Sequence, residues 1–425
     1  CAVGTPTPAT RLAPDKEQSM LYDPARHEPL ERIPWDEAAA LDTIEYIVRD
    51  TEERYAREAR WPMHPLDADG GATDPVFNLY FGAGGVQWAL HYLEAIGPVR
   101  LRRSYAGEVD VALVENRRWL RSEGLDDSAL ASYLMGDTGL LLLVYWLTSD
   151  PTCAARLEEL IEANIDHPAR ELMWGSPGTM LAALFLHQRT REHRWAQLFV
   201  ATARRLRTQL LWSPEHRCHY WSQDLYGRQV TYLDAVHGFV ATAAVLIRGR
   251  HLFETSEWDE WHGRIVQTIR ATAQREDGQV NWPALLLSPD RSSRPQKALM
   301  QFCHGAPGFV ICLAELPGEA LDEELLAAGE ALWAAGPLVK GANLCHGTGG
   351  NGYALLKLYE RTADARWLER ARSFAMHAIR QTHQHARMYK QLRYSLWTGD
   401  LGLAIYLWHC TQGVGPFPTL ETFFA

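Results

Sequence analysis

The 425-residue chain has no apolar run approaching the roughly 18 residues that a membrane-spanning helix requires. Its longest, Leu140 to Leu147, is short and opens a helical pattern, so no membrane span is expected. Basic clusters are equally scarce. Lys and Arg number 42 against 52 Asp and Glu, the formal net charge is -10, and no Lys/Arg block or stripe offers the surface that a phosphate backbone demands. Nucleic acid is therefore not an expected partner. Seven cysteines, an odd number in a long chain, do not read as a disulfide framework. Free thiols in a reducing, cytoplasmic compartment are expected instead, with Cys153, Cys218, Cys312 and Cys410 as small core residues. No charged-then-apolar signal segment opens the chain, and Cys1 in place of an initiator Met reads as a trimmed or processed start. Strand-like alternation is weak; near Arg217 to Val230 it allows a hairpin of no expected functional weight.

What is present is ample apolar material, 47% of residues against 22% charged, enough for a large core. Residues 1–34 carry Pro6, Pro8, Pro14, Pro24, Pro29 and Pro34 and read as an irregular arm. Residues 35–425 read as one domain. Within it, Asp36 to Trp61 places Ala39, Leu41, Ile44, Ile47 and Tyr55 near helical spacing among charged residues, the pattern of an amphipathic helix.

One short pattern then recurs seven times: Gly-x-x-Gly, or a close variant, followed at once by an apolar helical run. The copies begin at Gly82, Gly136, Gly175, Gly238, Gly305, Gly347 and Gly399, and the fourth has Ala241 where the second glycine would stand. Successive starts lie 54, 39, 63, 67, 42 and 52 residues apart, room for two helices and their loops each time. Helices after the glycines are apolar nearly all round, as in LLLLVYWL, whereas those between, such as Trp195 to Leu210 and Ala365 to Ile379, are amphipathic. Inner helices wrapped by outer ones follow, an all-α toroid with the seven glycine starts on one rim.

Two copies carry Cys-His just before the first glycine, Cys303-His304 and Cys345-His346, and a third carries His237 alone. Equivalent positions on successive repeats share a rim, so these side chains should converge although far apart in sequence. Thiolate and imidazole are ligands that Zn²⁺ takes, whereas Mg²⁺ and Ca²⁺ want oxygens.

The segments FCHGAPGF (Phe302 to Phe309), LCHGTGGNGYALLKLY (Leu344 to Tyr359), AVHG (Ala235 to Gly238) and SLWTGDLG (Ser395 to Gly402) closely resemble the lanthionine synthetase C-like family, over about Tyr80 to Trp408. The resemblance implies an α/α toroid of about seven inner and seven outer helices, with zinc on Cys303, Cys345 and His346 and a water or substrate thiol in the fourth position. It leaves His304 off the metal, and three protein ligands keep open the position that catalysis needs where four would close it. His304 is then a supporting or substrate-facing group. His237 matches the histidine of the family's AHG motif, with Val236 replacing the alanine, and is the candidate acid. Lys340, five residues before Cys345, stands where the family has a lysine associated with glutathione. Asp137, in the second repeat, is expected on the same rim, either orienting His237 or capping its own helix.

The implied activity is zinc-dependent activation of a thiol, from glutathione or a cysteine-containing peptide, for addition to a dehydroamino-acid acceptor. Ring-closing bacterial cyclases resemble WCYG at the first motif and carry an arginine shortly before it. This chain has FCHG preceded by Leu299-Met300-Gln301, closer to stand-alone members whose implied thiol is glutathione. Two alternatives stand beside that expectation, a peptide-cyclising enzyme and a non-catalytic zinc-containing binder of glutathione or peptide. Protein prenyltransferase β-subunits also pair a helical toroid with zinc, but through an Asp/Cys/His set that the two CHG motifs do not match.

Overall fold

A computed structural model describes residues 21–57, 60–68, 75–125, 127–286 and 298–425; Cys1 and the first part of the arm lie outside the described residues. Fourteen α-helices among the described residues alternate in two sets of seven. The outer set is α1 (Glu37–Arg54), α3 (Val109–Ser122), α5 (Pro151–Asn164), α7 (His193–Gln209), α9 (Thr255–Thr272), α11 (Asp322–Ala335) and α13 (Ala365–Tyr389). The inner set is α2 (Ala83–Ile96), α4 (Asp137–Thr148), α6 (Ser176–Thr190), α8 (Phe239–Arg248), α10 (Ala306–Leu313), α12 (Thr348–Thr362) and α14 (Asp400–Gln412). Each inner helix packs on the next and α14 packs back on α2, which closes the ring into an α/α toroid. The first glycine of every repeat is the N-cap of an inner helix. None of these helices is long and apolar enough to cross a membrane.

Why glycine recurs three residues further on is a matter of space. A Cβ at Gly350 would lie 1.9 Å from the Leu344 carbonyl oxygen, and one at Gly308 would lie 2.0 Å from that of Phe302. In both repeats the loop before the helix folds back over its first turn, and only glycine leaves room.

Those loops are joined to one another around the rim by backbone hydrogen bonds between residues two positions before the first glycine. Cys303 N–H donates to Cys345 O at 3.0 Å, Cys345 to Trp397 at 2.9 Å, Trp397 to Tyr80 at 3.1 Å, Tyr80 to Leu134 at 3.2 Å and Leu134 to Met173 at 3.3 Å. Leu172 N–H carries the series to Val236 O at 3.3 Å. Equivalent positions of consecutive repeats are thereby neighbours in space.

Two expectations about local structure change. Helix α1 stops at Arg54 instead of reaching Trp61: Tyr55 is extended, and the Trp61 indole turns back to donate to Thr51 O at 2.7 Å. Its buried face is Ala40, Ile44, Ile47 and Val48, and Leu41 is exposed. The Arg217 to Val230 region holds parts of two antiparallel hairpins, β1 (Leu211–Ser213) with β2 (Cys218–Tyr220) and β3 (Gln223–Leu225) with β4 (Arg228–Val230), and the second bears on the site. A third hairpin pairs β5 (Gln274–Glu276) with β6 (Gln279–Asn281).

Chain ends complete the body. Arm residues 21–34 lie against the rim, where Val339 N–H donates to Arg26 O and Glu28 N–H to Pro337 O. The C-terminal segment enters the ring, with Phe417, Leu420 and Phe423 buried. Trp88 donates to Phe423 O at 2.9 Å, Tyr133 to Thr419 O at 2.5 Å and Trp397 to Thr419 Oγ1 at 3.0 Å, donors from three different repeats. Phe417 stacks on Phe302 at 4.7 Å, directly beneath the first CHG motif.

Candidate metal centre

The rim series sets Cys303 and Cys345 side by side, and His346 follows in chain. The ligand atoms of Cys303, Cys345 and His346 all lie within 4.8 Å of one another. Asn343 Oδ1 accepts the His346 N–H at 2.9 Å and fixes that turn. Burial, with Arg393 and Lys340 adding to it, pushes His346 down to about 3, so its imidazole is neutral at physiological pH. The Cys303 thiol donates to Cys345, which holds Cys345 below the usual thiol range against the opposing effect of burial and raises Cys303 well above it. Two sulfurs beside a neutral imidazole are a donor set that fits zinc.

His237 and His304 occupy the position equivalent to His346 on the two preceding repeats. Each rests on a carboxylate: His237 Nδ1 bonds Glu171 Oε2 at 2.8 Å and His304 Nδ1 bonds Asp234 Oδ2 at 2.7 Å. With Nδ1 as donor to the carboxylate, Nε2 is the free nitrogen of each ring. Burial pulls both histidines down, but the hydrogen bond and charge of their carboxylates outweigh it and bring each to about 8. The Tyr232 ring touches both, 5.6 Å from His237 and 6.2 Å from His304. Tyr226, at the tip of the β3–β4 hairpin, meets the His237 ring edge-on at 6.2 Å and accepts from Trp174 Nε1 at 3.2 Å.

Asp137 does not orient His237. It is buried in the first turn of α4, and its Oδ2 pairs with Arg117 of α3 at 2.6 Å, while Glu171 takes the histidine. The reason is register: the loop before α6, which carries Glu171, is the one hydrogen-bonded to the loop carrying His237. Lys340 is exposed, and its charge acts on Cys345 and His346.

Glu171 and Asp234 escaped the sequence analysis, yet both stand four residues before a first glycine. That position is polar in all seven repeats: Asn78, Ser132, Glu171, Asp234, Gln301, Asn343 and Ser395. At Asn78, Glu171, Asp234 and Asn343 the side chain accepts the N–H three residues on, as Asn78 does from Phe81 at 2.9 Å and Asp234 from His237 at 2.7 Å. Glu171 and Asp234 also reach across to the histidine of the next repeat.

A family model described as lanthionine synthetase C-like protein matches residues 77–414. The chain belongs to that family. Among its relatives, LanC-like protein GCL1 of Arabidopsis thaliana is 38% identical over 128 residues, a match covering 28% of this chain and 29% of that protein's length. Glutathione S-transferase LANCL1 of Danio rerio is 25% identical over 313 residues, covering 68% of this chain and 74% of that one. Among solved structures, nisin cyclase superposes with a TM-score of 0.59 at 15% identity, over 89% of this LanC-like chain and 96% of its own, a likeness of fold.

Proposed function

We propose that this LanC-like protein is an enzyme that activates a thiol, from glutathione or a peptide cysteine, on zinc and adds it to a dehydroamino acid to form a thioether. The observation that carries the reading is the juxtaposition of the Cys303, Cys345 and His346 donors with two carboxylate-held histidines on one rim. Bound there, zinc would supply the Lewis acidity that brings a coordinated thiol to thiolate near neutral pH.

Everything else falls to side chains of the chain. Addition of the thiolate sulfur to Cβ of the acceptor sends the π electrons toward Cα and its carbonyl. A proton must then reach Cα, and His237, charged at neutral pH through Glu171, donates it from Nε2. His304 has the same protonated state and lies beside Cys303, suited to steady the developing enolate oxygen. The Tyr232 ring packs near both imidazoles. Lys340 offers a cation for a substrate carboxylate, and the likeness to the Danio rerio glutathione S-transferase LANCL1 favours glutathione as the thiol. Such chemistry suits a reducing cytoplasm, where thiols persist.

Zinc content and turnover test the reading together. About one zinc per chain is expected in the wild type, lost in Cys303→Ala and Cys345→Ala. Conjugation of glutathione to a dehydroalanine peptide should accompany it and fall in His237→Asn with zinc retained. Zinc-loaded protein that conjugates neither glutathione nor a cysteine peptide to any dehydroamino-acid peptide overturns the enzyme in favour of a binder.

A further inference from the structure

Both cysteine sulfurs of the candidate centre receive a hydrogen bond from a side chain that is not itself a ligand. The Tyr80 hydroxyl, from the first repeat, reaches Cys345 Sγ at 2.7 Å, and Gln301 Nε2 reaches Cys303 Sγ at 3.0 Å. Gln301 is oriented in turn by the arm: the Arg26 guanidinium donates to its Oε1 at 3.2 Å, so its amide nitrogen is turned toward the sulfur. The arm holds Arg26 in place through its pairing with residues 337–339 and through Asn281, whose amide donates to Leu21 O at 2.6 Å.

Comparison between repeats sharpens the point. Gln301 occupies the position of Glu171 and Asp234, the carboxylates of the two preceding repeats. Glu171 and Asp234 reach the histidine of the next repeat, and there the residue is an acid. Gln301 turns instead to the sulfur two residues on in its own repeat, and there it is an amide that can donate. A carboxylate at 301 would face the sulfur with an acceptor and a like charge.

We infer that Tyr80 and the Arg26–Gln301 pair are positioning residues for the zinc-binding thiolates, and that the N-terminal arm is thereby part of the metal centre. A donor on each sulfur stabilises the anionic form that ligation needs and draws charge from the ligand set, leaving more positive charge to hold an incoming thiol as thiolate. This rests on the zinc reading given above.

The test uses the full chain and two readouts that do not depend on turnover, zinc affinity by competition with a chromophoric chelator and the near-ultraviolet thiolate-to-metal absorption of the Co²⁺-loaded protein. Tyr80→Phe, Gln301→Met and Arg26→Met keep side-chain bulk and remove the donors; each should weaken zinc binding by about 10-fold to 100-fold. Each should also shift the charge-transfer band to lower energy, because a sulfur without its donor holds its electrons less tightly. Gln301→Glu should weaken binding more than Gln301→Met. Arg26→Met, changed outside the toroid's core, carries the test if a buried variant fails to fold. Wild-type affinity and an unshifted band in Arg26→Met and Tyr80→Phe overturn the inference while the zinc site stands. A wild type that binds no zinc overturns the zinc reading and this inference with it.

Discussion

Replacing Glu171 by Gln keeps an oxygen for the Nδ1–H of His237 but removes the negative charge that keeps that histidine protonated. In the wild type the carboxylate lifts His237 from its ordinary 6.5 to about 8 against the effect of burial. Without it, burial is opposed only by the charges of Asp234 and Cys303, and the value falls back toward the ordinary 6.5, a change of up to about 1.5 pH units, or about 2 kcal/mol. An acid is active while protonated, so conjugation should decline as pH rises through the His237 value. That decline belongs near pH 8 in the wild type and moves to lower pH, toward 6.5, in Glu171→Gln. At pH 7 the protonated fraction drops from roughly nine-tenths toward roughly one quarter, a loss of rate of up to about fourfold. The assay is initial-rate conjugation of glutathione to a dehydroalanine peptide between pH 5.5 and 9.5, with zinc content checked at each point. Glu171 also accepts from Met173 N–H and Trp174 N–H, so a melting curve must accompany the rates. Asp137→Asn is the control, since breaking the buried pair with Arg117 should lower stability and leave the pH of the decline in place. A Glu171→Gln enzyme that keeps its zinc and its decline near pH 8 would refute the assignment of His237 as an acid poised by Glu171.

Other perturbations probe the scaffold and the substrate side. Gly350→Ala drives a Cβ into the Leu344 carbonyl in the loop that carries Cys345; chemical denaturation should show a loss of about 2 kcal/mol or more, with reduced zinc content. Gly107→Ala, where a Cβ would meet nothing within 4 Å, should stay within about 1 kcal/mol of wild type. Phe423→Ala opens a cavity where the C-terminal segment fills the ring, and denaturant unfolding should register a loss of about 3–5 kcal/mol. Lys340→Ala should raise KM for glutathione several-fold with kcat and zinc content near wild type; an unchanged KM removes Lys340 from the substrate site.

The toroid was legible because each repeat announces itself locally: a glycine that caps a helix, a second that admits a carbonyl, and an apolar run. Convergence of Cys303, Cys345 and His346 was legible for the same reason, since equivalent positions of consecutive repeats become neighbours once the ring is assumed. The partners of those residues follow a different rule. Glu171 lies 66 residues from His237 and Asp234 lies 70 from His304, and neither interval has meaning within a helix or a turn. They meet because the polar residue four places before one glycine faces the residue one place before the next repeat's glycine. Asp137 was a natural guess from proximity to a glycine, but it lies on the helix side of Gly136, where Arg117 of the adjacent outer helix is within reach. Arg26 and the C-terminal segment were beyond any repeat-based argument, because both belong to non-repeating ends that fold back onto the ring. The repeat unit thus accounts for which side chains converge on the candidate centre, while contacts between units and from the chain ends supply the hydrogen-bond partners around it.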